Sequence, residues 1–321
     1  MADKMKIAVL DDWAGVARDY ADWDSLGYVN VFTDPLAEGD LPDLLAPYEV
    51  ICLMRERTPF PAKLIAALPN LRLLVTTGPR NASIDMDAAQ AHGVTVCATE
   101  SRKTSTAELT LTMVLHQMRG IGRETARLQG GGFQGAPGRD MTDLRIGLVG
   151  IGNIGKQVAA MSRAFGIAQI SAWSPNLTQQ RADEAGVTFA PTVEELAATS
   201  DVLSIHMVMS HKVAGLVGAS ALASLPPSAL VVNTSRAGLL DRDALFGWLA
   251  KDETAMAAID VFEAEPLAAG DPWRAASKQF GDRLLLTPHL GYVTQATWRV
   301  FYTQTVDAVA AYQAGEPIRV L

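Results

Sequence analysis

Cysteine is scarce: Cys52 and Cys97 are the only two in 321 residues. Each lies in an apolar run, so reduced core thiols are expected rather than a disulfide framework, and with them a reducing, cytoplasmic compartment. An excess of positive charge is missing too. Against 35 Asp and Glu stand 27 Lys and Arg, a net charge of −8 at pH 7. Such a chain is not expected to hold a nucleic-acid backbone. No apolar run reaches the ~18 residues of a membrane span, so no membrane partner is expected. Met1 to Lys6 lead into Ile7-Ala8-Val9-Leu10 without a signal-peptide pattern. No His, Cys, Asp or Glu cluster has metal-ligand spacing, so no metal is expected. A Gly-x-Ser-x-Gly elbow, which would suggest a hydrolase, is absent. Internal repeats and low-complexity tails are absent as well.

What is there is ordinary for a globular protein: 49% hydrophobic and 19% charged residues. The length suffices for two domains with substantial cores. Short apolar runs alternate with helical patterns. In the first third, Ile7–Leu10, Val50–Met54, Leu73–Thr76 and Val94–Cys97 read as buried parallel strands, with Pro61–Leu68 as a helix between them. Later, Arg145–Val149, Ile170–Trp173, Val202–His206, Leu230–Asn233, Met256–Val261 and Leu284–Leu286 repeat the theme. The alternation predicts an α/β chain with doubly wound parallel sheets. Thr104–Arg119 reads as a long helix opened by a Ser105/Glu108 capping box and closed at Gly120. A glycine-rich, loop-like segment, Gly130–Gly138, follows, and Thr294–Gly315 is a last helical pattern crossing back to the first domain.

Gly150-Ile151-Gly152-Asn153-Ile154-Gly155 joins a strand to a helix with Val158, Met161 and Phe165 on its expected inner face. The first glycine permits the tight turn, the second lets backbone approach a pyrophosphate, and the third lets helix and strand pack closely. The helix N-terminus then turns free N–H groups and a positive dipole end to the phosphates. The alternative is a purely structural glycine turn. The next strand runs into Ser174-Pro175-Asn176, with no acid to bind a ribose hydroxyl. Arg181 is either a phosphate contact or a solvated surface charge.

Three segments behind that turn form one reactive set. Asn233-Thr234-Ser235-Arg236, Asp260 to Pro266 and Thr287-Pro288-His289-Leu290-Gly291 each follow an expected strand. Carboxyl ends of neighbouring strands are where open α/β sheets bind ligands, so the three can converge. Arg236 offers a planar fork for a carboxylate. His289 can exchange a proton with a carbonyl oxygen. Glu265 can fix the tautomer of that imidazole. Taken singly they read as a surface Arg, a solvated Glu and a packed His. The ordered set reads as catalytic: hydride chemistry on a small 2-oxo acid. His206 either lines the cofactor cleft or packs. Met54-Arg55-Glu56-Arg57-Thr58-Pro59 follows a first-domain strand, where Arg55 and Arg57 either hold a second anionic group of the substrate or are surface charges paired with Glu56.

Through the glycine turn, Ser-Ile-His206, Asn-Thr-Ser-Arg236, Asp260-Val-Phe-Glu-Ala-Glu265-Pro and Thr-Pro-His289-Leu-Gly, the chain resembles the D-isomer-specific 2-hydroxyacid dehydrogenases. The resemblance implies a Rossmann nucleotide-binding domain, residues 105–293, inserted in a flavodoxin-like substrate domain made of 1–104 and a returning helix, 294–321. It implies Arg236, Glu265 and His289 as catalytic residues. Gly150, Gly152, Asn153, Ile154, Gly155, Ser174, His206, Thr234 and Asp260 are the implied cofactor contacts. Arg57, Thr77, Gly78, Asn81 and Arg236 are the implied substrate contacts, the Thr76–Asn81 loop through backbone N–H groups. Val208 departs from the family's usual proline, and the Gly78–Asp85 loop is longer than in many members. NAD is the implied cofactor, with NADP use alongside, and a homodimer built through the nucleotide domains the implied assembly. Two other readings keep the same residues: a dinucleotide-sensing corepressor and a phosphite dehydrogenase.

Overall fold

The computed structural model describes residues 5–167 and 169–321; the reading of the leader region at Met1–Lys4 lies outside them. The chain forms two compact units, one holding the residues through Arg102 together with Val293–Leu321, the other Lys103–Tyr292. Both are α/β units built on all-parallel sheets.

The first unit carries strands β1 (Lys6–Val9), β2 (Tyr28–Val31), β3 (Val50–Leu53), β4 (Leu73–Thr76) and β5 (Thr95–Ala98), in the order β2-β1-β3-β4-β5. Every residue of β3 and β4 is buried. That explains their unbroken apolar runs, since a strand covered on both faces needs no alternation. The order reverses between β1 and β3, the flavodoxin-like arrangement. Strand β2 is an edge strand that the apolar runs do not predict. Its Tyr28 is 63% exposed, so it carries only a weak hydrophobic signal. The helix expected at Pro61–Leu68 spans Ala62–Ala66. The helix Gln295–Gln313 begins at Thr294, whose side chain accepts from the Thr297 N–H. It buries Trp298, Phe301 and Tyr302, and Tyr302 Oη donates to Asp12 Oδ1 at 2.8 Å.

The second unit carries β6 (Arg145–Val149), β7 (Gln169–Trp173), β8 (Thr188–Phe189), β9 (Val202–Ile205), β10 (Leu230–Asn233), β11 (Met256–Ile259) and β12 (Leu284–Leu286), in the order β12-β11-β10-β9-β6-β7-β8. With β6 as the first strand this is the Rossmann order, extended by one strand. Alternate residues feed opposite faces. Leu203, Ile205, Val231 and Ile259 enter one core, Ile146, Leu148, Val202 and Val232 the other. Strand β8 has two residues, too short for a hydrophobic pattern.

Two expectations are corrected here. The helix Thr104–Arg119 forms, but Lys103 is its N-cap and no side chain caps it, so the Ser105/Glu108 capping box is not made. Ser105 is instead buried. Phe165 lies at the C-cap of the helix Asn153–Ala164 and is 47% exposed, so it is off the inner face that Val158 occupies. After Gly120, whose φ of +60° turns the chain, the sequence adds a helix at Ile121–Gln129 that buries none of its residues. With the glycine-rich segment after it, this helix leaves Leu128 60% and Phe133 77% exposed. At the amino ends of β6 and β9, Asp201 accepts from Arg145 Nε at 2.8 Å and Arg139 Nη2 at 2.9 Å. Against the upward push of burial, these bonds hold its carboxyl down at about 2.

Candidate active site

The glycine turn has the geometry its sequence implies. Gly150 adopts φ +104°, and a Cβ there would lie 2.6 Å from the His206 carbonyl oxygen. At Gly155 a Cβ would overlap the Gly150 carbonyl oxygen, so the helix sits against the turn as only glycine permits. Gly152 is the opposite case: no atom lies within 4 Å of an added Cβ, so the backbone there faces open space. The helix Asn153–Ala164 starts at this point with no side-chain cap. An open backbone concavity at an uncapped helix N-terminus fits the pyrophosphate of a dinucleotide. At the end of β7, Ser174 is half-buried and Asn176 exposed. Arg181, in the helix Gln179–Glu184, donates Nη1 to the Asn176 carbonyl oxygen at 2.7 Å. Its charge therefore stands beside the turn that lacks an acid.

Arg236, Glu265 and His289 follow the carboxyl ends of β10, β11 and β12, three adjacent strands. Glu265 and His289 are brought together directly: Nδ1 lies 2.6 Å from Oε2. A carboxylate only accepts, so Nδ1 carries the proton and Nε2 is the nitrogen left for chemistry. The other Glu265 oxygen accepts from the Phe262 N–H at 2.9 Å, which fixes the carboxylate. His289 has φ +54°, a left-handed backbone rare outside glycine. The Arg236 turn is built by Asn233, whose side chain donates to the Arg236 carbonyl oxygen and accepts from the Ser235 N–H. Arg236 Nη1 donates to the Ser235 carbonyl oxygen at 2.8 Å.

Asp260 is the deepest charged group of the site, with no exposed surface. Its Oδ1 accepts from Thr287 Oγ1 at 2.6 Å and the Leu290 N–H at 2.7 Å, and its Oδ2 from the Gly291 N–H at 2.9 Å. These bonds bracket His289. Burial pushes the carboxyl up, opposed by the same hydrogen bonds and by His289. Thr106 Oγ1 donates to the Gly291 carbonyl oxygen at 2.9 Å from the long helix. Thr234 is buried, its hydroxyl 2.8 Å from that of Thr110. His206 is buried, with Nε2 2.8 Å from Ser204 Oγ. Among the described residues no His, Cys, Asp or Glu group could hold a metal ion, and no helix is long and apolar enough to cross a membrane.

In the first unit the residues expected at the substrate lie at the carboxyl ends of β3 and β4, and two of the loop's amides have partners within the unit. The Thr77 N–H donates to the Leu53 carbonyl oxygen and the Gly78 N–H to Thr99 Oγ1 at 2.7 Å, so both amides are already engaged. Asn81 Nδ2 donates to the Arg55 carbonyl oxygen and to Thr76 Oγ1. Arg55, expected with Arg57 at a second anionic group of the substrate, is held against the loop after β4. Its N–H donates to Thr77 Oγ1, its φ is +56°, and its guanidinium lies across Gly78, where a Cβ would overlap it. Arg57 Nη1 donates to the Asp11 carbonyl oxygen at 2.7 Å, and its guanidinium lies 3.9 Å from the Trp13 ring centroid. A cation held so is pre-oriented at the β1/β3 switch point. Trp13 follows β1 as Arg57 follows β3, and only the topology makes them neighbours.

Comparison with known proteins identifies the family and the fold. Residues 111–291 match the family described as D-isomer specific 2-hydroxyacid dehydrogenase, NAD binding domain. The D-3-phosphoglycerate dehydrogenase of Mycobacterium leprae is 32% identical over 267 residues, 82% of this chain and 49% of that protein. The chain thus spans about half the length of the curated relatives it matches. A phosphoglycerate oxidoreductase from Vibrio cholerae superposes with a TM-score of 0.89 at 32% identity, covering 97% of this chain and 99% of that one. A D-lactate dehydrogenase from Aquifex aeolicus, solved with NAD and lactic acid, has a TM-score of 0.80 over 97% of this chain and 96% of that one; at 21% identity the likeness is one of fold.

Burial of His206 has a consequence for stability. Desolvation lowers its imidazole from 6.5 to about 4. Between those values the unfolded chain takes up a proton that the folded chain refuses. Stability is therefore lost as pH falls from about 6.5 towards 4, by an amount on the order of 3 kcal/mol. Thermal melts at pH 7.5 and pH 4.5 are expected to show a smaller acid-side loss in His206→Gln than in the wild type; equal losses refute the assignment.

Proposed function

The chain belongs to the D-isomer-specific 2-hydroxyacid dehydrogenase family, and from that membership we propose that it interconverts a small D-2-hydroxy acid and its 2-oxo acid, with Arg236, Glu265 and His289 as the catalytic set. NAD is the cofactor of the domain at 111–291, and when bound it supplies or accepts the hydride. The observation that carries the reading is the 2.6 Å contact between Glu265 Oε2 and His289 Nδ1 at the ends of adjacent strands, behind the glycine turn. Arg236 binds the substrate carboxylate through its planar fork. His289 Nε2 donates its proton to the carbonyl oxygen in reduction and removes it in oxidation. Glu265 keeps the proton on Nδ1 and stabilises the imidazolium. Asp260 and Thr287 hold the histidine loop in place. The free thiols Cys52 and Cys97 support a reducing, cytoplasmic location, which cell fractionation tests.

Turnover is measured as NADH oxidation against glyoxylate, hydroxypyruvate, pyruvate and 3-phosphohydroxypyruvate. His289→Ala is expected to lower kcat ~10²–10⁴-fold while NADH binding, followed by fluorescence, stays near wild type. An unchanged kcat removes His289 from the mechanism.

Use of NADP(H) beside NAD is proposed from the end of β7. No carboxylate stands at Ser174-Pro175-Asn176 to repel a 2′-phosphate, and Arg181 stands beside that turn. Ser174→Asp is expected to depress kcat/KM for NADPH more than for NADH. A wild type that prefers NADH by ~10³-fold or more, about 4 kcal/mol, contradicts the proposal.

For the far end of the substrate, the clamped guanidinium of Arg57 supports recognition of a second anionic group. Arg57→Ala is expected to raise KM for 3-phosphohydroxypyruvate more than for glyoxylate; an equal KM change for both eliminates it.

A homodimer built through the nucleotide-binding unit is supported by the unburied helix Ile121–Gln129 and the exposed Leu128 and Phe133. Light scattering at micromolar concentration is expected to give twice the 34.3 kDa chain mass for the wild type and the single-chain mass for Phe133→Asp. A monomeric wild type overturns it.

A further inference from the structure

His289 is touched on two sides. Glu265 binds its Nδ1, and Tyr292 packs against its ring, with centroids 5.0 Å apart and planes inclined at 67°. Tyr292 is 8% exposed and closes the short turn Leu290–Tyr292. That turn is anchored from outside: Asp260 accepts from the Leu290 and Gly291 N–H groups, and Thr106 donates to the Gly291 carbonyl oxygen. The tyrosine ring is therefore carried on a backbone that cannot shift without breaking buried hydrogen bonds.

A single hydrogen bond at Nδ1 sets a distance but only loosely an orientation. The imidazole can pivot on its contact with Oε2, and each pivot sweeps Nε2 through an arc. Hydrogen bonds tolerate misalignment of tens of degrees before they weaken steeply. Proton transfer is less tolerant: the acid must lie within roughly 2.6–3.2 Å of its partner, and ~1 Å of misplacement costs as much as 10²-fold. The His289 main chain, with φ at +54° and its N–H donating to the Thr287 carbonyl oxygen, is already committed, so the remaining freedom is that of the ring plane. An inclined aromatic neighbour at this separation restricts that plane, because edge-to-face packing favours one inclination over a stacked sandwich.

We propose that Tyr292 is a positioning residue for proton transfer, its ring setting the plane of the His289 imidazole so that Nε2 is held in one direction. The role rests on the dehydrogenase reading above. It belongs to the aromatic ring, so phenylalanine preserves it and an aliphatic side chain does not.

Three variants test this: Tyr292→Phe, Tyr292→Leu and Tyr292→Met, the last in case Leu fails to fold in a thermal melt. Expected are a kcat within about twofold of wild type for Phe and a loss of roughly tenfold for Leu and Met, with KM for NADH unchanged in all. A readout independent of turnover is the NMR signal of the carbon-bound imidazole protons of His289, assigned by its loss in His289→Gln. It lies within the ring current of Tyr292, and is expected to move in Leu and Met and to stay in Phe. A Leu or Met variant with wild-type kcat, a Phe variant as impaired as Leu, or an unmoved signal in Leu and Met overturns the role. A wild type inert towards every 2-oxo acid overturns the dehydrogenase reading and the proton-transfer role with it, and the NMR signal then still reports whether the two rings meet.

Discussion

One buried carboxylate holds the reactive end of the nucleotide-binding unit together. Asp260 has no surface exposed, and three donors from the segment around His289 close on its two oxygens. A typical hydrogen bond contributes about 0.5–1.5 kcal/mol, and a buried polar group left without its partner costs about 1–3 kcal/mol. The segment after β12 therefore has one low-energy path, and that path puts His289 in the left-handed region with Nδ1 against Glu265. Strain in the histidine backbone is offset by bonds on either side of it, a common arrangement where a side chain must be aimed.

The same economy governs the glycine turn. Gly150 and Gly155 are required by crowding, Gly152 by openness. One motif thus serves two ends: two glycines pack the helix Asn153–Ala164 tightly on the sheet, and one leaves backbone open at its amino end. His206 lies beside this turn: its carbonyl oxygen is against Gly150, and its ring, neutral by burial, meets Ser204.

In the first unit the arginines divide the work differently from what their spacing suggests. Arg55 and Arg57 are two residues apart after one strand, yet Arg55 lies across Gly78 and Arg57 stacks on Trp13. Arg55 takes a left-handed backbone conformation, fixed by Thr77 and Asn81, and this sends the two side chains to different neighbours. The Thr77 and Gly78 amides are engaged separately, with Leu53 and Thr99.

Much of this was legible in the residues alone, for physical reasons. Central parallel strands are buried on both faces, so β3, β4, β6 and β9 to β11 announce themselves as apolar runs; the edge strand β12 is an apolar run too, though only partly buried, and the chemistry-bearing residues follow β10, β11 and β12. Glycines that must turn or pack cannot be replaced by other residues, so the nucleotide turn is legible as well. Strands β2 and β8 were not, because an exposed edge or a two-residue pairing leaves no hydrophobic pattern. The Ser105/Glu108 pattern suggested a cap, but burial of Ser105 in the helix won. What only the tertiary structure decided is which partners meet. Asp260 with Leu290, Trp13 with Arg57 and His206 with Gly150 meet across long stretches of chain through strand order, and the ring of Tyr292 meets His289 through the path of a single loop. A linear sequence carries the residue types for such contacts but not the distances between them.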